Sequence, residues 1–269
     1  MTLQLKNKKW RIVYVISFLL FSFTGNAAIP EEPEEEILFV TSYNSDTKYT
    51  YDNINTFVET YRQLGGKYST IVENMNVTDL NQSRKWKKRL TNILDKHPNA
   101  KLVILLGGEA WSSFLHLEDE KYRQLPVFCA MASRNGIRIP EDSIDIRTYE
   151  PQSIDLTERM NKYNIIYCNT YEYDIDKDIE MMRSFYPDME HLVFISDNTY
   201  GGISLQALVR EEMENYPDLN LVLVDSRDGD EASHEAYASL SPRSAVMLGT
   251  WRVGSDGEYL MQRSLNDLV

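Results

Sequence analysis

Four short segments hold most of the side chains in this chain that suit gripping a small molecule. Ser42-Tyr43-Asn44 offers a hydroxyl, an amide, and a phenol with one flat apolar face and one polar oxygen, a combination suited to a sugar or a heterocycle. Gly107-Gly108-Glu109-Ala110-Trp111 sits where a strand would hand over to a helix. Glycines there let backbone N–H groups approach a ligand, and a helix N-terminus favours an anion. Glu109 satisfies that terminus by itself, which weakens the case for an anion. Asp197-Asn198-Thr199-Tyr200-Gly201-Gly202 sets donors and acceptors beside two permissive glycines, although Asp197 equally suits a helix cap. Thr250-Trp251-Arg252 places a stacking ring beside a guanidinium fork, fit for a carboxylate or phosphate, or for an ion pair between lobes. Met131 and Tyr171, at or just past the ends of apolar runs, complete the expected ligand shell. Every one of these segments also has a plain structural reading: loop packing, strand–helix packing, or capping.

No catalytic or metal-binding pattern competes with that shell. His97, His116, His191 and His234 lack metal-ligand spacing. There is no nucleophile elbow and no P-loop, and the glycine pair lacks the third glycine of a dinucleotide fingerprint. Asp174-x-Asp176-x-Asp178 begins like a calcium loop, but Ile179 stands where glycine is required and Phe185 where the bidentate glutamate is required. An acidic first turn of a helix explains it better. Asn76-Val77-Thr78 and Asn81-Gln82-Ser83 are formal glycosylation sequons, of consequence only in a eukaryotic secretory route. The expectation is a binding chain with no catalytic residue, no metal and no cofactor.

The elements that would hold these segments follow a rhythm that runs twice. Apolar runs begin near Ile37, Tyr68, Lys101 and Pro126, and again near Asn164, His191, Asn220 and Ser244. They stand roughly 25–33 residues apart, the length of a βαβ unit. Helical periodicity follows the first three runs of each set. Ile54, Phe57, Val58, Tyr61 and Leu64 predict one helix, and Trp86, Leu90, Ile93 and Leu94 another. Further helices are predicted over 109–122, from Asp174 through Phe185, from Leu205 to Tyr216, and around Ala232, Ala236 and Tyr237. The predicted fold class is α/β, with two similar lobes, each a parallel sheet flanked by helices. Such sheets bind ligands in the crevice outside their carboxyl ends.

Length and composition agree with this. The chain has 269 residues, 42% apolar and 26% charged, enough for one large domain or two smaller ones. Lys6, Lys8, Lys9 and Arg11 precede an apolar stretch over 12–23, and small residues follow at 25–28. That pattern is a secretory signal; the stretch is short for a permanent anchor, though an anchor is the alternative. Removing residues 1–27 takes away four positive charges and no negative one, from −13 to −17. Such a surface repels phosphate backbones and argues against nucleic-acid partners. Cys129 and Cys168 are too few for a disulfide scaffold; they read as buried small side chains or as one pair. The predicted organisation is a signal or anchor over 1–28, an acidic leader over 29–36, a first lobe over 37–135, a hinge-like crossover over 136–160, and a second lobe over 161–269. With four strands per lobe and no stop signal over 254–268, the second lobe is expected to be incomplete.

The run from Ile37 to Asn44, then Leu106-Gly107-Gly108-Glu109-Ala110, then Pro126-Val127-Phe128-Cys129-Ala130 resembles the first lobe of a bacterial family of solute-binding proteins. The block from Asp176 to Asp197 resembles its second lobe. The family comprises type I periplasmic-binding-protein-like domains, and the likeness spans about 37–249. It implies an extracytoplasmic domain, secreted or anchored at the inner membrane, that closes its lobes on a small polar ligand such as a sugar, a nucleoside or a small acid. As the sensor of a membrane histidine kinase, often a hybrid kinase, with a membrane-anchored homodimer as a possible assembly, such a domain signals by that closure. As the free component of an ABC-type transporter, it delivers the solute. An exported α/β enzyme is a third reading of the same cleft.

Overall fold

The computed structural model describes residues 35–43, 48–78, 80–225, 235 and 238–251. The targeting segment, Asn44, Arg252, the helix expected around Ala232 and the stretch over 254–268 lie outside them.

Apolar runs make strands that are covered on both sides. β1 (Glu36–Thr41) is buried along its whole length, and its side chains alternate between two cores. Ile37 and Phe39 face α1 (Lys48–Gln63), meeting its Ile54, Phe57, Val58 and Tyr61. Leu38 and Val40 face the other way, toward Trp86, Leu90 and Leu94 of α2 (Trp86–Lys96). β2 (Ser69–Asn74), β3 (Ala100–Leu106) and β4 (Val127–Ser133) complete the early rhythm. The helix expected over 109–122 is two: α3 (Gly108–Phe114) and α4 (Glu120–Arg123). The Tyr163 hydroxyl lies 2.7 Å from the Leu115 carbonyl and 3.0 Å from the Leu117 carbonyl, so it satisfies the acceptors that a continuing helix would have used. Asp119 then caps α4 through the Lys121 N–H.

The expected lobe boundary moves. The segment after β4 leaves the sheet and pairs briefly with itself, β5 (Asn135–Gly136) against β6 (Ile154–Asp155). It then returns to the same sheet as β7 (Ile165–Tyr171), parallel to β4. Residues 136–160 are therefore an excursion from the first sheet, and the strand expected to open the second lobe closes the first. An apolar run marks a strand but carries no information on its neighbour; here the pairing with β4 decides it. Arg134 ties the ends of the excursion together, reaching Asp155 at 2.7 Å and Glu172 at 2.6 Å. The crossover to the second sheet is the short stretch from Glu172 to Asp174.

The second sheet is built by α5 (Ile175–Phe185), β8 (His191–Ser196), α6 (Tyr200–Glu212), β9 (Asn220–Asp225) and β10 (Ser244–Leu248). Asp174 caps α5 through the Lys177 N–H, the role expected of that acidic run. The first sheet has strand order β2-β1-β3-β4-β7 and the second β10-β8-β9, all parallel. The fold is thus α/β, with parallel sheets flanked by helices.

α6 joins the two halves. Leu205, Leu208 and Val209 pack on Leu192 and Phe194 of its own sheet. Tyr200, Ile203 and Ala207, at helical spacing on the opposite side, belong to the core of the first sheet with Trp86, Trp111 and Ile137. A helix that is apolar on two faces is buried from both. No helix among the described residues is long and apolar enough to cross a membrane.

Candidate functional site

Both sheets reverse their winding, and each reversal opens a crevice. In the first, β2 lies on one side of β1 and β3 on the other, so the loops after β1 and β3 part. In the second, β9 and β10 flank β8 in the same way, and the loops after β8 and β10 part. All four loops line one cavity of about 400 Å³, a size typical of small-ligand sites. From the first sheet come Thr41, Tyr43, Gly107, Gly108 and Glu109, with Met131 and Ser133 of β4 and Asn169 and Tyr171 of β7. From the second come Thr199, Tyr200, Gly201, Ser204 and Thr250.

Of the expected ligand shell, the fold brings Tyr43, Gly107, Gly108, Glu109, Met131, Tyr171, Thr199, Tyr200 and Thr250 to this cavity. Glu109 is 1% exposed and accepts a hydrogen bond from the Tyr43 hydroxyl. It is the only Asp, Glu, Lys, Arg or His among the described lining residues. Met131 holds a left-handed backbone, φ 57°, where β4 and β7 slip register between Cys129 and Ala132. The slip is a bulge, and it aims β4 at the cavity mouth. Tyr200 presents its ring to the cavity, but its hydroxyl is committed: it donates to the Ile137 carbonyl at 3.0 Å and accepts from the Ile137 N–H at 3.3 Å. Burial pushes its phenol up to about 12.

Five expected residues have other roles. Ser42 is fully buried and serves the fold: its Oγ accepts from the Ala110 N–H at 2.9 Å, its N–H donates to Leu106 and its carbonyl accepts from Val77. Asp197 is also fully buried. Its Oδ1 accepts from the Thr199 N–H at 3.1 Å, the Thr199 hydroxyl at 2.6 Å and the Thr250 hydroxyl at 3.1 Å. It shapes the turn that presents Thr199 and Thr250. Trp111 is a core residue of α3, and Trp251 packs on Val193, Ile195 and Val224. Large rings gain most by complete burial, and here that outweighs any stacking role. Asn198 is half-buried beside the cavity without lining it. Asn44 and Arg252 lie outside the described residues.

Sequence reasoning missed Thr41, Thr50, Ser133, Asn135 and Asn169 in the lining; Tyr173 also lines it. Tyr173 meets Tyr171 edge-on, ring centres 5.4 Å apart and planes at 89°. Strand alternation pairs Asn169 with Tyr171 on one face of β7, a signal that becomes useful once β7 is placed in the first sheet.

No family model matches the chain, and no curated protein does. Among solved structures it is similar to solute- and ligand-binding proteins. One is a solute-binding protein of an ABC transporter from Rhodopseudomonas palustris in complex with 3,4-dihydroxybenzoic acid: 12% identity, TM-score 0.47, covering 87% of this chain and 59% of that one. Another is a Caulobacter myo-inositol-binding protein bound to myo-inositol, at 9% identity and TM-score 0.44, covering 82% and 67%. A third is an extracellular ligand-binding receptor from Verminephrobacter eiseniae, at 13% identity and TM-score 0.44, covering 80% and 57%. The chain spans about three fifths of the length of the first of these.

Proposed function

We propose that this chain is a small-molecule-binding domain working outside the cytoplasm, and that it is the sensor region of a membrane histidine kinase. One observation carries the binding reading: the switch points of two parallel sheets open on one cavity, where hydroxyls and amides from both sheets converge on a shared space. The sensor reading is supported by the sequence resemblance given above. The alternative, delivery to a transporter, uses the same site.

The ligand is a hydroxylated ring of the sugar or nucleoside class. Tyr171 and Tyr173 supply flat faces, and Asn135, Asn169 and Ser133 supply donors and acceptors without formal charge. Of the ligand classes expected from sequence, a small acid is the one that would depend on Arg252. A bound ligand touching both sheets favours the arrangement in which both sets of contacts exist. α6 packs against the cores of both sheets, so it couples the two sets of contacts.

A thermal-shift screen of sugars, nucleosides, amino acids and small acids tests the reading. A ligand at a hundred times its dissociation constant adds about 2.7 kcal/mol of stability. Asn169→Ala and Tyr171→Ala should abolish the shift while leaving the unliganded Tm in place. No shift with any sugar or nucleoside, or a shift that both variants retain, would sink the site. Ligand-dependent autophosphorylation of the full-length protein in membrane vesicles separates sensing from transport.

A further inference from the structure

Cys129 of β4 and Cys168 of β7 are register partners on neighbouring strands, and neither is in a disulfide. We propose that they are a disulfide site: in the presence of an oxidised dithiol, such as a disulfide oxidoreductase, the two thiols close into a bond that ties β7 to β4. Neighbouring strands run about 4.7–4.9 Å apart, and disulfides accept Cα separations of about 4.4–6.8 Å. Register partners on adjacent strands therefore fall within that Cα range. Both side chains belong to the same core. Among the described residues, no cluster of three His, Cys, Asp or Glu surrounds them, so a metal-thiolate site is not built here.

The two sulfurs differ in a way that orders the chemistry. Burial pushes the Cys129 thiol up, and that side chain is fully enclosed. Cys168 is half-buried, and the hydrogen bond from Cys129 draws its thiol down. Cys168 is the attacking group. Its thiolate attacks one sulfur of the oxidant's disulfide and expels the other as a thiolate, leaving a mixed disulfide. Cys129 then gives up its proton and attacks the Cys168 sulfur, expelling the second oxidant thiolate. Two cysteine thiols have lost two electrons and two protons; the oxidant has become a dithiol.

The bond would fall where the cavity wall is set. The register slip that presents Met131 begins at Cys129, and Asn169, which follows Cys168, lines the cavity. Oxidation would lock the slip and with it the placement of Ser133, Asn169 and Tyr171.

The test treats the reduced chain with oxidised glutathione or oxidised dithiothreitol, then denatures it and alkylates. The expected results are loss of two hydrogens in intact mass, protection of both cysteines, a Cys129–Cys168 peptide in a non-reducing digest, and a Tm raised by several degrees that dithiothreitol reverses. Cys129→Ser should trap a glutathione adduct at Cys168, whereas Cys168→Ser should leave Cys129 unmodified in the folded protein. Wild-type protein whose two thiols remain open to alkylation, or that carries glutathione without the intrachain link, would overturn the proposal.

Discussion

α3 and α6 both start at the cavity, each just after a strand at a switch point, yet they are capped by opposite means. At α6 the device is local: Asp197 holds Thr199, and Thr199 accepts from the Gly202 N–H at 3.2 Å, all within six residues. At α3 the N-cap is Gly107, which has no side chain to offer. The cap comes instead from Ser42, just past the end of β1 and 68 positions from the N–H it satisfies. One turn carries its own scaffold. The other borrows it from across the sheet, so the first cavity edge stands only when β1 and β3 are already paired. The cap of α3 should therefore be sensitive to changes far away in sequence, and the cap of α6 chiefly to changes nearby.

The largest effect is expected where the two edges meet. Tyr200→Ala empties the seam between both cores and should cost about 3–5 kcal/mol in urea unfolding. If the two halves were independent, one cooperative transition would survive with little change, and the shared-core account would fail. Next come the two glycines. A Cβ at Gly107 would lie 2.5 Å from Ser42 Oγ, in a backbone with φ 104°; at Gly202 it would lie 2.1 Å from the Asp197 carbonyl oxygen. Both alanine variants should lose about 3 kcal/mol. Ser42→Gly should return part of the loss for Gly107→Ala, because a side chain is the obstacle. Asp197→Gly should return none for Gly202→Ala, because the obstacle is backbone. Equal rescue in both pairs would erase the contrast.

A pH experiment isolates the Tyr200 hydroxyl. Its folded value, about 12, lies above the ordinary 10. The unfolded chain therefore loses the proton first, so the stabilisation is complete below pH 10 and disappears as pH rises toward 12. The gap in stability between wild type and Tyr200→Phe should be constant at neutral pH and shrink by about 2 kcal/mol across that window. The smallest effects test the caps. Ser42→Ala strands the buried Ala110 N–H and should cost about 1–3 kcal/mol, more than the roughly 1 kcal/mol of Thr199→Ala. The reverse order would mean that the local cap is the stronger of the two.

The same contrast explains what could be read in advance. Asp197 suggested a helix cap from its place before the helix; the cap is Thr199, which Asp197 holds from two positions away. The strand His191–Ser196 was legible because a covered strand is a continuous apolar run. Ser42 was legible only as a hydroxyl near a strand end; nothing local says that its acceptor serves Ala110. Trp111 and Trp251 illustrate a different limit. A tryptophan at a strand end suits a ligand or a core equally, and only the neighbours supplied by other strands decide. The break after Phe114 depends on Tyr163, 48 positions away from the Leu115 carbonyl that it meets.

Alternation, periodicity and local capping were determined by the chain itself: α/β class, parallel strands, turns at their carboxyl ends, and the segments from which the cavity is made. Partnership was decided by the tertiary structure. It gave β7 to the first sheet, turned 136–160 into an excursion, set α6 between two cores, and chose which hydroxyls face the cavity and which hold it open. The physical reason is that propensity and patterning act over a few residues, while strand pairing and burial are settled by which distant surfaces lose the most water when they meet.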